Sequence, residues 1–71
     1  MTQTAKLQGK MRAKGFSLVK LANKIGLSTT GLFNKVHNQK EFLVSEVQAI
    51  STALGLSEQE VQEIFFAKDV E

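Results

Sequence analysis

The side chains able to do covalent or metal chemistry are few. The chain of 71 residues holds one imidazole, His37, and no cysteine. A metal centre needs three or four ligating groups, and nucleophilic catalysis needs a nucleophile beside a base. His37 stands alone in the polar run His37-Asn38-Gln39-Lys40-Glu41, with no carboxylate pair beside it, and reads as a solvated loop residue. The glycines fall at the ends of helical segments or singly within them, so no phosphate-cradling loop is present. No enzyme activity, metal or cofactor is expected.

What remains is charge and hydrogen bonding. Residues 1–40 carry Lys6, Lys10, Arg12, Lys14, Lys20, Lys24, Lys35 and Lys40 and no acid. Residues 41–71 carry seven acids, Glu41, Glu46, Glu58, Glu60, Glu63, Asp69 and Glu71, against the single base Lys68. The net +2 thus conceals a basic first part and an acidic second part. Such a dipolar molecule turns one side toward a polyanion, nucleic acid first and an acidic protein second. Segregation of ordinary solvated charges is the plain alternative.

These charges must be placed by a small fold. A chain of this length forms one domain and buries only about 60% of the surface its unfolded form exposes. The start, MTQTAKLQGKMRAKG, has no apolar run of the kind a signal peptide uses. No segment approaches the ~20 apolar residues of a membrane span. A soluble cytoplasmic protein with no membrane contact is the expectation.

With no proline and abundant Leu, Lys, Ala and Glu, the sequence favours helix throughout. The spacing predicts five helices in an all-α bundle. The first covers about Thr4 to Lys14, with Leu7 and Met11 inward and Gly15 past its end. The second follows Ser17 as N-cap, buries Leu18, Leu21, Ala22 and Ile25, and stops at Gly26. The third is capped by Ser28 and runs to about Val36, with Leu32 and Val36 inward. A capping box of Ser45 with Gln48 is expected to open the fourth, which places Val47, Ile50 and Leu54 inward and ends at Gly55. A second box, Ser57 with Glu60, opens the fifth, with Val61, Ile64 and Phe65 inward.

The densest pattern lies between the second and third helices, in Leu21-Ala22-Asn23-Lys24-Ile25-Gly26-Leu27-Ser28-Thr29-Thr30-Gly31-Leu32. Ala22 is small enough for the next helix to cross close above it. Gly26 allows the positive φ of a sharp turn. Leu27 fills the wedge between the helices, Ser28 caps the second of them, and Leu32 returns it to the core. This is the spacing of a helix-turn-helix, here about residues 17–37, which offers its second helix to the DNA major groove. An ordinary helical hairpin is the alternative.

At these residues the chain resembles the Cro/CI-type, lambda-repressor-like helix-turn-helix family of phage repressors. It is similar above all to short Cro-like phage regulators. The likeness continues through Leu32-x-x-Lys35-Val36-x-Asn38, Phe42, Ser45-Glu46-Val47 and Glu63-Ile64-Phe65-Phe66. The resemblance implies a compact bundle of four or five helices, a bacterial host cell and a role in a lysis–lysogeny switch. It implies base reading by Thr29, Thr30, Phe33 and Asn34, with Gly31 among them on the third helix. It implies phosphate contacts at Ser17 and Leu18, at the mouth of the second helix, and at Asn38 and Lys40 after the third. Threonine and asparagine can hydrogen-bond base edges, and Lys35 or Lys40 can neutralise phosphate. Operator DNA is the leading partner.

The chain departs from the family pattern on that same face. Leu18 and Val19 stand where polar residues are usual, Phe33 replaces a small polar residue, and Gly31 offers nothing to a base edge. Leu18 shares a stripe with Leu21 and Ile25, so packing accounts for it. Val19 and Phe33 lie one residue off their buried stripes and are expected to be exposed. Phe33 could meet a thymine methyl or fold back on the bundle. The other reading is that Leu18, Val19 and Phe33 grip a protein. Small phage antirepressors called modulators of repression are similar to this chain in size and kind, which implies a phage repressor's DNA-binding domain as the alternative partner. Finally, Phe65, Phe66 and Val70 are more apolar than one short helix buries, and read as a last patch of core or as a homodimer contact.

Overall fold

The computed structural model describes residues 1–67; Val70 and Asp69 lie outside the described residues. Five α-helices follow in order: α1 (Thr4–Ala13), α2 (Leu18–Ile25), α3 (Thr29–Val36), α4 (Val44–Leu54) and α5 (Glu58–Phe65). No strand occurs among the described residues. The all-α expectation holds.

Three helix starts obey their local signals. The Ser17 hydroxyl accepts from the Lys20 N–H at 3.1 Å and the Ser28 hydroxyl from the Gly31 N–H at 3.0 Å. At α5 the box is complete: Ser57 accepts from the Glu60 N–H at 3.1 Å, and Glu60 accepts from the Ser57 N–H at 2.9 Å. Each cap satisfies backbone donors that the first helical turn leaves without partners.

The start of α4 corrects the sequence expectation. No box forms between Ser45 and Gln48; the N-cap is Leu43, two residues earlier. Its backbone N–H donates to Glu46 Oε1 at 2.8 Å. A leucine side chain has no acceptor to return, so only half of a box exists. Glu46 takes the role because its carboxylate is held in place from α3, as described below.

The inward stripes meet in one core. Leu7, Leu21, Ala22, Leu32, Val36, Ile50, Leu54 and Ile64 are buried almost completely. Leu18, Ile25, Leu27, Phe42, Leu56 and Val61 pack partly buried around them. Phe65 belongs to this core and meets Phe42 edge-to-face, with ring centroids 5.3 Å apart. Its neighbour Phe66 is exposed. Helix α3 packs on α2, α2 on α4, and α5 on both α1 and α4.

The N-terminal residues are tied into the bundle. The Gln3 N–H donates to the Ile64 carbonyl at 2.7 Å, joining the first residues to α5. The Thr4 hydroxyl donates to the Val36 carbonyl at 2.7 Å, which provides a partner for the last turn of α3. Lys10 and Glu60 form a part-exposed ion pair between α1 and α5.

Candidate functional site

Helices α2 and α3 are joined through Gly26, whose φ of 80° lies in the left-handed region that glycine enters without steric cost. The Leu27 N–H then donates to the Ala22 carbonyl at 2.9 Å, which closes α2 as Leu27 turns into the wedge between the helices. Beyond it, Ser28 caps α3. These short-range bonds fix the first turn of α3 as a rigid, solvent-facing platform.

Thr29 and Thr30 both stand exposed on that turn. Among the described residues their hydroxyls have no hydrogen-bond partner. Asn34, one turn on, is half-buried, and its backbone carbonyl accepts from the Gln39 N–H at 2.8 Å. Gly31 has a structural reason to be glycine. A Cβ there would lie 2.9 Å from the Ser28 hydroxyl oxygen, so a side chain would displace the cap.

The basic residues divide into free and engaged groups. Lys20, Lys24 and Lys40 are exposed, and Lys20 reaches back over the Phe16 ring, 5.9 Å from its centroid. Lys35 is turned inward instead. Its ammonium donates to both carboxylate oxygens of Glu46, at 2.7 and 2.6 Å, with only 15% and 11% of the two side chains accessible. Burial pushes the Glu46 pKa up, but the Lys35 hydrogen bonds, the Leu43 N–H and the lysine charge outweigh it and hold the carboxyl below its ordinary value.

Asn38 is engaged as well. It adopts a φ of 64°, a left-handed conformation that asparagine tolerates better than most residues. Its carboxamide pairs with the backbone of Thr2: Oδ1 accepts from the Thr2 N–H at 2.8 Å, and Nδ2 donates to the Thr2 carbonyl at 3.0 Å. Of the five residues expected to touch phosphate, the structure leaves Lys40 exposed, packs Leu18 partly buried against the core, uses the Ser17 hydroxyl as a cap, and commits Lys35 and Asn38 to internal bonds. Lys20 and Lys24 present charge that the spacing argument did not single out. Their only sequence signal is the acid-free run of residues 1–40.

The apolar departures are where the stripes put them. Val19 is 53% exposed and Phe33 42% exposed, while Leu18 packs partly buried against the core. Phe33 does not fold back on the bundle. It stacks on His37, with ring centroids 4.2 Å apart and planes tilted by 44°. His37 is exposed, and no group of three or more His, Cys, Asp or Glu among the described residues could hold a metal ion.

Helices α2 and α3 and the loop after them therefore carry exposed threonines, exposed lysines and two exposed apolar side chains. Compared with family models, curated proteins and solved structures, the chain finds no match. No helix among the described residues is long and apolar enough to cross a membrane.

Proposed function

We propose that the chain is a helix-turn-helix regulator of a phage-type genetic switch that binds operator DNA through the start of α3. The observation that carries this reading is the capped first turn of α3, where Thr29 and Thr30 stand exposed with hydroxyls that have no partner among the described residues. Lys20, Lys24 and Lys40 supply free positive charge on α2 and after α3, in a stretch with no acid before Glu41. Threonine hydroxyls can donate to or accept from base edges in the major groove, while lysines displace counterions from phosphate.

A second reading has a specific observation in its favour. Val19 and Phe33 expose apolar surface on α2 and α3, and Lys35 and Asn38 are taken up in internal bonds. Exposed aromatic and aliphatic side chains of this kind anchor protein interfaces. On this reading the face docks on the DNA-binding domain of a phage repressor and relieves repression. Titrating the protein into labelled DNA from upstream of its own gene, with and without a phage repressor that binds that DNA, separates the two. Sequence-specific binding by the protein alone supports the first; release of a bound repressor without DNA binding supports the second.

A further inference from the structure

The end of α3 is tied down more fully than the start of an exposed loop needs to be. A helix leaves the carbonyls of its last four residues without intrahelical partners. In α3 these belong to Phe33, Asn34, Lys35 and Val36, and each accepts a bond. The Phe33 carbonyl takes the His37 N–H at 3.0 Å, and the Lys35 carbonyl takes the Asn38 N–H at 3.2 Å. The Asn34 carbonyl takes both the Gln39 N–H at 2.8 Å and the Lys40 N–H at 3.4 Å. The Val36 carbonyl takes the Thr4 hydroxyl. Asn38 then holds Thr2 through both ends of its carboxamide, and Gln3 bonds on to Ile64 of α5. Residues 2–4 thus form a splint from α5 to the end of α3, and the turn of residues 37–40 is exposed yet fixed.

We propose that Asn38 is the positioning residue for a phosphate contact made by Lys40, an inference that rests on operator binding through α3. The Lys40 N–H lies on the carbonyl of Asn34, one turn along α3 from Thr30. Its side chain therefore starts beside the helix that enters the groove, not at the tip of a loose loop. Lys40 is exposed, and neither it nor the adjacent Glu41 joins an ion pair among the described residues. Fixing its backbone beforehand removes part of the ordering entropy that a phosphate contact otherwise costs. The negative end of α3 would oppose a phosphate, but its four last carbonyls are already engaged. Asn38 makes no phosphate contact itself, because Thr2 occupies its donor and its acceptor. Asparagine suits the position because it tolerates the left-handed backbone and offers both bonds at once.

A double-mutant cycle on affinity for DNA from upstream of the gene tests it, with circular dichroism to confirm that each variant is folded. In the wild type, Lys40→Ala should weaken specific binding about five- to tenfold at about 0.1 M salt, the worth of one phosphate contact. In the Asn38→Gly background, which keeps the positive φ and loses the clamp, Lys40→Ala should cost less than about threefold. Lys24→Ala, on α2, should cost the same in both backgrounds, which a general loosening of the fold would not allow. Thr4→Val releases the same segment from the Val36 carbonyl; it should repeat the pattern, and it replaces Asn38→Gly if that variant does not fold. Specific binding in which Lys40→Ala costs nothing, or costs the same with and without the clamp, overturns this inference and leaves operator binding standing. An equal shrinkage of the Lys24→Ala cost also overturns it, by reducing Asn38 to a purely structural role. Absence of specific binding by the wild type overturns operator binding, and this inference with it.

Discussion

Lys35 and Glu46 join the third helix to the start of the fourth: one ammonium donates to both oxygens of a carboxylate that also accepts the N–H of Leu43, the N-cap of α4. The pair is mostly shielded from water, so removing one member leaves the other charged and poorly solvated. Lys35→Met should therefore destabilise the fold by about 3 kcal/mol in a urea titration, well above the ~0.5 kcal/mol typical of surface changes. Lys35→Met with Glu46→Leu should recover much of the loss. If Lys35→Met costs no more than an exposed lysine variant such as Lys24→Met, the pair does not lock α3 to α4.

The same pair sets a pH dependence. A carboxylate whose folded pKa is lowered contributes stability that is present above its unfolded pKa and lost as pH falls through the folded one. Glu46 and Glu60 both lie below the ordinary value of 4.5, Glu60 chiefly through its hydrogen bond from Lys10. Stability should be flat near neutrality and fall as pH drops from about 5 to below 4. In Glu46→Gln the acid-side slope should be shallower. An unchanged slope in that variant would show that Glu46 does not contribute to the acid transition.

Asn38 combines an unusual backbone conformation with a two-bond clamp on Thr2. Asn38→Ala loses both and should cost about 2 kcal/mol. Asn38→Gly loses only the clamp and should cost about 1 kcal/mol less than the alanine variant, because glycine accepts the positive φ freely. Hydrogen exchange at the Thr2 amide should accelerate in both variants. Equal stability of alanine and glycine variants would remove the backbone part of this account.

Val19 and Phe33 report on what the α2–α3 face binds. Val19→Gln and Phe33→Ser should change stability by no more than about 0.5 kcal/mol, since neither side chain is part of the core. If the face binds DNA, both variants should retain operator affinity to within about tenfold, an anchor-sized loss being reserved for protein docking. If it docks on a repressor, Phe33→Ser should cost about 2 kcal/mol or more of that complex, as an interface anchor does.

The parts of this fold that the sequence discloses are those whose causes are local. Ser17, Ser28 and Ser57 cap helices because each bonds a backbone N–H three residues on. Gly26 turns the chain through its own φ. The inward stripes of α1, α2, α3 and α4 follow from spacing alone, and so does the exposure of Val19 and Phe33. What the sequence conceals depends on partners far along the chain. The start of α4 moves from Ser45 to Leu43 because Glu46 is gripped by Lys35, eleven residues earlier. Lys35 and Asn38 look like free phosphate contacts until the first sees Glu46 and the second Thr2, 36 residues away. Phe65 and Phe66, adjacent and chemically identical, are by contrast separated correctly by spacing: the stripe of Val61, Ile64 and Phe65 turns Phe65 inward, and Phe66 is exposed.

Operator binding by the α2–α3 face is tested most directly by the salt dependence of DNA affinity, measured by fluorescence anisotropy on DNA from upstream of the gene. Each phosphate contact contributes about 0.9 to the slope of log K against log salt. Sequence-specific binding that weakens steeply with salt is expected. Lys20→Ala and Lys24→Ala should each reduce the slope by about one per protomer, while Lys35→Met leaves it unchanged. Thr30→Ala should reduce affinity for the specific site by about 1 kcal/mol without changing the slope. Absence of specific binding at low salt, or a slope that depends on Lys35 and not on Lys20 or Lys24, would contradict operator binding by this face.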